Sequence, residues 1–193
     1  MAQDLILEHV GRYINLSPDE EALFLSLLKP IELKRKELWL QQGDICKYSA
    51  FILTGVLRGF TIDTNGFEHV LSFAPIGWWM ADMYSLISKK PGTLNIEAIE
   101  KTNVLLLSKT NQELLYKQVP AFERFFRIIT ENSLVAYQQR LMDNLSLSAE
   151  DRYNNFCKRY PTLINTLPKK DIATYIGVTP EFLSRMVGKL LKK

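Results

Sequence analysis

From Pro120 the chain runs with neither a glycine nor a further proline until after Ser148. Nothing in that stretch breaks a helix, and a helix over Pro120–Leu145 would reach ~40 Å at 1.5 Å per residue. Its apolar residues (Phe122, Phe125, Phe126, Ile128, Ile129, Leu134, Val135, Tyr137, Leu141 and Leu145) cover more than one face. A helix apolar on two sides must bury both. One side is expected against its own chain. The other suits a partner copy, because Phe122, Phe126, Ile129, Ser133, Ala136 and Arg140 follow the spacing of a coiled-coil seam. Core packing accounts for the early aromatics equally well.

Ahead of this helix the pattern has two parts. Leu5, Leu7, Val10 and Ile14 are spaced for one helical face. Ser17-Pro18-Asp19-Glu20 then combines an N-cap, a proline at the first helical position and a capping-box Glu, predicting a helix over Glu20–Leu28 that ends before Pro30. Between Ile31 and Ser108 the chain becomes strand-like. Glu37–Gln41, Ala50–Thr54, Val56–Asp63, Phe67–Phe73, Leu94–Glu100 and Val104–Ser108 are rich in β-branched, aromatic and leucine residues. Turn residues separate them, and Asn65-Gly66 between two apolar runs is a hairpin signal. Regular short strands predict a small antiparallel barrel or jelly roll, with a short helix at Ala81–Ile87. Thr110-Asn111-Gln112-Glu113 reads as a second capping box, opening a helix to about Lys117.

After Leu147 three short helices are predicted: Ala149–Tyr160 capped by Ser148, Lys169–Ile176 opened by Pro168, and Pro180–Leu191 capped by Thr179. Residues 169–190 resemble the helix-turn-helix of bacterial transcription regulators. Ala173 is small where two helices cross, and Gly177 supplies the left-handed backbone of the turn. Val178 fills the corner. Ile172, Ile176, Leu183, Val187 and Leu190 form the buried face. The opposite face carries Glu181, Ser184, Arg185, Gly188 and Lys189. Arg185 can bond guanine in a bidentate manner, Glu181 can accept from cytosine N4, and Ser184 can reach base or phosphate. Thr179, Lys169, Lys170 and Lys189 complete the candidate DNA-binding set, the lysines suited to phosphate.

Charge supports that reading. The chain has 193 residues and a formal net charge of +3. Residues 151–193 hold nine Lys/Arg against three acids, including Lys192 and Lys193, whereas residues 1–150 hold 15 against 18. A basic C-terminal piece on a mildly acidic body implies an anionic partner. With 47% hydrophobic and 23% charged residues the chain is globular in composition. No apolar run approaches a membrane span, and the first ten residues lack a secretory pattern, so a soluble cytoplasmic protein is expected. Two cysteines, Cys46 and Cys157, exclude a disulfide scaffold and a four-cysteine metal or iron–sulfur site within one chain.

The order of elements resembles the CRP/FNR family of regulators over essentially the whole chain, and Gly55-Val56-Leu57-Arg58 matches a common family pattern in the barrel. The resemblance implies an α+β fold: an N-terminal jelly-roll β-barrel with flanking helices, a long dimerisation helix, and a C-terminal winged helix-turn-helix with wing strands missing or very short. It divides the chain into a cyclic-nucleotide-binding-like sensor domain over 1–119, a dimerisation and linker helix over 120–147, and a DNA-binding domain over 148–193. Its implied partners are double-stranded DNA, a second copy of the chain, RNA polymerase, and a small-molecule effector or none; no membrane and no cofactor are implied. Family members that bind cAMP use Gly-Glu at a turn, then Arg, Ser/Thr and Ala about ten residues later. Here Asp82 falls at the Glu position, Gly92 at the Arg, Thr93 at the hydroxyl and Leu94 at the Ala. Without that arginine the pocket lacks its fixed cation, and a cAMP-responsive protein is not expected. Asp82, Met83, Tyr84 and Thr93 remain the candidate lining for another ligand, while Trp78, Trp79 and Met80 read as barrel core.

Two other classes stand beside this one. A cupin-type enzyme requires a cluster of His and carboxylate ligands, which His9 and His69 do not supply, and no catalytic motif is present; no catalytic residue and no metal site are expected. The helix-turn-helix could instead bind protein in a scaffolding module, although its charged outer face disfavours this. A ligand-independent DNA binder remains open.

Overall fold

The computed structural model describes residues 2–190. Leu191, Lys192 and Lys193, read above as the end of the last helix and part of the basic tail, lie outside the described residues. Two helices, α1 (Ala2–Gly11) and α2 (Pro18–Ser26), precede five strands, β1 (Leu28–Leu33), β2 (Leu38–Leu40), β3 (Tyr48–Thr54), β4 (Leu57–Ile62) and β5 (Glu68–Ala74). Then come β6 (Trp79–Met80), α3 (Met83–Ser88), β7 (Asn95–Ala98) and β8 (Thr102–Ser108). The rest is helical: α4 (Lys109–Gln118), α5 (Ala121–Ser146), α6 (Ala149–Arg159), α7 (Lys169–Ile176) and α8 (Pro180–Leu190).

The strands form two four-stranded sheets, ordered β1-β8-β3-β6 and β2-β7-β4-β5. The architecture is thus mixed α and β, with jelly-roll-like sheets rather than one closed barrel. The chain divides into two compact units. The first runs to Gly59 and resumes over Phe73–Asn132; the second takes Phe60–Ser72 and the chain from Ser133 onward.

In the first unit, residues of both sheets share a core that includes Ile52, Val104 and Leu106 from one and Leu40, Leu57 and Ile96 from the other. Gly55 turns the chain between β3 and β4 at φ +80°, and a Cβ there would strike Thr102 and the Lys101 carbonyl. Arg58 is buried and pairs with Glu97 at 3.0 Å. A second core joins Ile6 and Val10 of α1, Phe24 of α2, Phe51, Leu107 and the start of α5. Phe122 and Phe125 of that helix are fully buried and Phe126 nearly so. Each contributes roughly 1.5–3 kcal/mol by leaving water, far above any residue's helix preference. Packing therefore anchors α5.

This burial corrects part of the expected seam. Phe122, Phe126 and Ile129 pack within their own chain, and Ala136 and Arg140 are half-buried, so only Ser133 of that stripe is exposed. The uncovered apolar residues of α5 are Leu134, Val135, Tyr137, Leu141, Met142 and Leu145, each at least half exposed.

Local signals placed several boundaries. Ser17 and Glu20 form the reciprocal capping box. Gly66 turns at φ +82° while the Asp63 carboxylate accepts the Asn65 and Phe67 amides at 2.8 and 3.0 Å, and the exposed His69 bonds Asp63. The hydrogen bond from His69 and those amides hold the Asp63 carboxyl below the usual carboxylate range. Other boundaries shift. α2 stops at Ser26, short of the predicted Leu28, because Leu28 pairs with Leu107 to begin β1, a strand the pattern did not reveal. Pro30 is tolerated there because β1 is a sheet edge. α4 starts at Lys109, capped by Ser108 accepting the Asn111 amide at 3.0 Å, so Thr110 is not the cap. β6 pairs with β3 through Trp79 and Met80, and was also unforeseen.

Candidate nucleic-acid interface

All residues of the helix-turn-helix belong to the second unit. α7 ends at Gly177, whose φ of +72° is left-handed. Its amide bonds the Thr174 carbonyl at 3.2 Å and the Val178 amide bonds Ala173 at 3.0 Å, which closes the helix end with both carbonyls satisfied. Two residues later Thr179 opens α8, its hydroxyl accepting the Phe182 amide at 3.2 Å. The predicted corner is therefore present, and Ala173 at the crossing is fully buried.

The face of α8 turned inward carries Leu183, 2% exposed, with Val187 and Leu190 half-buried. Ile172 and Ile176 of α7 complete that side. Much of the remaining core is aromatic: Phe156, Tyr160 and Tyr175 are buried with ring centres 5.4 to 5.7 Å apart. None of these three was singled out from the sequence, although Phe156 and Tyr160 sit four apart on α6, a spacing that could have shown it.

The candidate DNA-binding residues emerge together. Thr179, Glu181, Ser184, Arg185 and Lys189 are exposed on α8 or at its start, as are Lys169 and Lys170 at the start of α7. The helix-end amide, the Thr179 hydroxyl and the Arg185 cation hold the Glu181 carboxyl below its ordinary value. It is therefore an acceptor at neutral pH, never a donor. Lys170 differs from the rest because it faces Glu68 at 3.4 Å.

Two arginines of this unit, which the sequence pattern does not mark as structural, hold the end of α7. Arg140 of α5 donates to the carbonyls of Val70, Leu71 and Tyr175, and its guanidinium carbon lies over the Tyr175 ring, 4.1 Å from its centre. Burial lowers its pKa from the ordinary value. Arg152 of α6 donates to Ile176 at 2.8 Å and Leu147 at 3.0 Å. Both thus hold a carbonyl at the C-terminus of α7, where a cation complements the helix dipole.

The pocket residues in the first unit do not assemble in this way. Asp82 is 5% exposed and caps α3, with its carboxylate accepting the Ser85 amide at 3.0 Å and the Leu94 amide at 3.4 Å. Gly92 lies against that carboxylate so closely that a Cβ would collide with it. Met83 and Tyr84 are about half exposed, and Thr93 is also exposed. Trp79 instead packs on Phe51 and Phe126, and Met80 lies in the sheet core. Among the described residues no group of three His, Cys, Asp or Glu side chains is placed to hold a metal, and no helix is long and apolar enough to cross a membrane.

No family model matches the chain. A curated relative, the anaerobic regulatory protein of Haemophilus influenzae, is 22% identical over 175 residues, which cover 85% of this chain. The match spans 66% of that relative's length. Among solved structures, FixK2 from Bradyrhizobium japonicum superposes with a TM-score of 0.75 at 20% identity, covering 86% of this chain and 85% of that one. A transcriptional regulator of the CRP/FNR family from Eubacterium rectale superposes with a TM-score of 0.70 at 14% identity, covering 91% and 84%. In fold, this chain is similar to these solved regulators.

Proposed function

We propose that the protein is a sequence-specific DNA-binding transcription regulator and not an enzyme, acting as a homodimer. The observation that carries this is the outer face of α8. Glu181, Ser184, Arg185 and Lys189 are all exposed on a helix whose corner is already closed by Gly177 and Thr179. In this reading α8 enters the major groove. Arg185 reads guanine, Glu181 accepts from cytosine N4, Ser184 contacts base or phosphate, and Lys169, Lys170 and Lys189 position the duplex through phosphates. Lys170 would exchange Glu68 for phosphate.

The second copy would cover the exposed stripe of Leu134, Tyr137, Leu141 and Leu145, placing two recognition helices at half-sites about 34 Å apart. Residues 1–119 would then act as a sensor, 120–147 as the dimerising helix and 148–193 as the DNA-binding domain. RNA polymerase is a further expected partner. Cyclic AMP is not the expected effector: the carboxylate that would hold the ribose is committed to backbone amides, and the arginine position is a glycine with no room beside it.

Selection of genomic DNA fragments by the purified protein, without ligand and at near-physiological salt, tests this reading. A palindromic motif whose halves lie one helical turn apart is the expected result. Absence of any enriched motif, with and without cell-extract metabolites, would favour a protein-binding module.

A further inference from the structure

The second unit contains a cavity of about 480 Å³ whose lining comes from α5, α6 and the end of α7. Its charge is one-sided. Arg140, Arg152, Lys158 and Arg159 line it, against the single carboxylate of Asp143. That carboxylate is already engaged by the Gln139 and Asn155 amides, each at 2.9 Å. Arg140 and Arg152 donate only to backbone carbonyls. The Nε of Arg140 is buried with no hydrogen-bond partner. Carbonyls at a helix end amount to about half a negative charge, short of balancing the two arginines that they hold.

We propose that this cavity is a binding site for a small phosphate-bearing anion. The volume falls within the range of small-molecule sites, roughly 300–1,000 Å³. Guanidinium groups bond phosphate oxygens through parallel N–H donors and stay charged at any physiological pH. Hydrogen bonds to three carbonyls hold the Arg140 guanidinium in place before any ligand arrives. An anion here would sit beside the two arginines that hold the α7 carboxyl end, so its binding would tighten the base of the helix-turn-helix. The site is distinct from the Asp82 region and does not depend on the DNA-binding reading.

Calorimetric titration of inorganic pyrophosphate into the full chain tests the proposal, alongside a short random-sequence duplex in a parallel titration. The expected result is one saturable pyrophosphate site per chain. Affinity should fall at least tenfold in the double variant Lys158→Gln, Arg159→Gln, two exposed positions, with a melting curve confirming that the variant is folded. Arg152→Lys, which keeps the charge and removes the planar guanidinium donors, should weaken binding several-fold. Three outcomes overturn the proposal. One is no saturable heat up to millimolar pyrophosphate. Another is equal affinity in wild type and the double variant. The third is a double variant that weakens only the duplex, which would make these cations DNA-backbone contacts.

Discussion

The α8 face and the Asp82 region both looked like ligand sites in the sequence, yet they treat their polar side chains in opposite ways. Around α8 Gly177 and Thr179 supply the turn and the cap, so Ser184, Arg185 and Lys189 project outward, while the exposed Glu181 shares its carboxylate with one helix-end amide. Around α3 the capping group is Asp82 itself, and its carboxylate is consumed by two amides. A polar side chain is available to a partner only where other groups meet the needs of the local backbone. The same residue type at an equivalent turn can therefore be a ligand contact in one protein and a helix cap in another.

Substitutions can break this contrast. The largest effect is expected at the end of α7: Arg140→Ala leaves the carbonyls of Val70, Leu71 and Tyr175 without their donor. At roughly 1–3 kcal/mol for a buried unsatisfied group, partly relieved by water in the adjoining cavity, the loss should be about 3–4 kcal/mol. Urea unfolding measures it, and a loss below 1 kcal/mol would mean that the carbonyls rehydrate freely. Restoring the missing cation with Gly92→Arg should cost about 3 kcal/mol, because its Cβ meets the Asp82 carboxylate. The same variant should gain no cAMP affinity by calorimetry; tight binding would show that Asp82 can let go of its amides.

On the other side of the comparison, Arg185→Ala should weaken specific DNA binding by about 1–3 kcal/mol and relax preference at one base position, with the melting temperature unchanged. Equal weakening on every sequence would reassign Arg185 to phosphate. Thr179→Ala should lower stability by about 1 kcal/mol through the lost cap. If melting is unaffected while DNA binding falls, Thr179 is instead a DNA contact.

The smallest effect concerns pH. His9 lies among Tyr13, Phe51 and Phe125, its Nε2 buried without a partner. Burial, and the Arg12 cation to a lesser extent, hold its pKa below the ordinary 6.5. Because the folded state disfavours the proton, this group's contribution is complete above about 6.5 and declines as pH falls toward the depressed folded value. Urea melts at pH 7.5 and 5.5 should show that decline, and His9→Phe should flatten it. Identical pH slopes in both proteins would place the effect elsewhere.

Much of the α8 site was legible in one dimension because each part of it is local. Gly177, Thr179, Ala173 and the buried Ile172 and Leu183 obey spacings of a few residues, and the exposed face follows from helical geometry once the buried face is known. The same holds for the Ser17 capping box and the Asn65-Gly66 hairpin. The failures have a different origin. Ser108 and Thr110 are equally good caps by type, and α4 begins after Ser108, where β8 ends. β1 contains a proline and lacks alternation, and it exists because Leu28–Leu33 pairs with β8, 69 to 79 residues away.

The long helix combines both cases. Its existence from about residue 120 to 146 follows from the absence of breakers, a property of the chain alone. Which of its apolar residues are covered does not. Phe122, Phe126 and Ile129 share heptad spacing with Ser133, Ala136 and Arg140, yet the first three are enclosed by α1, α2 and the sheet core. Arg140 is drawn to carbonyls 35 and about 70 residues away. Periodicity states that a face must be buried, because water rejects it wherever it lies. Only the fold decides what buries it, since that depends on groups brought together from distant parts of the chain.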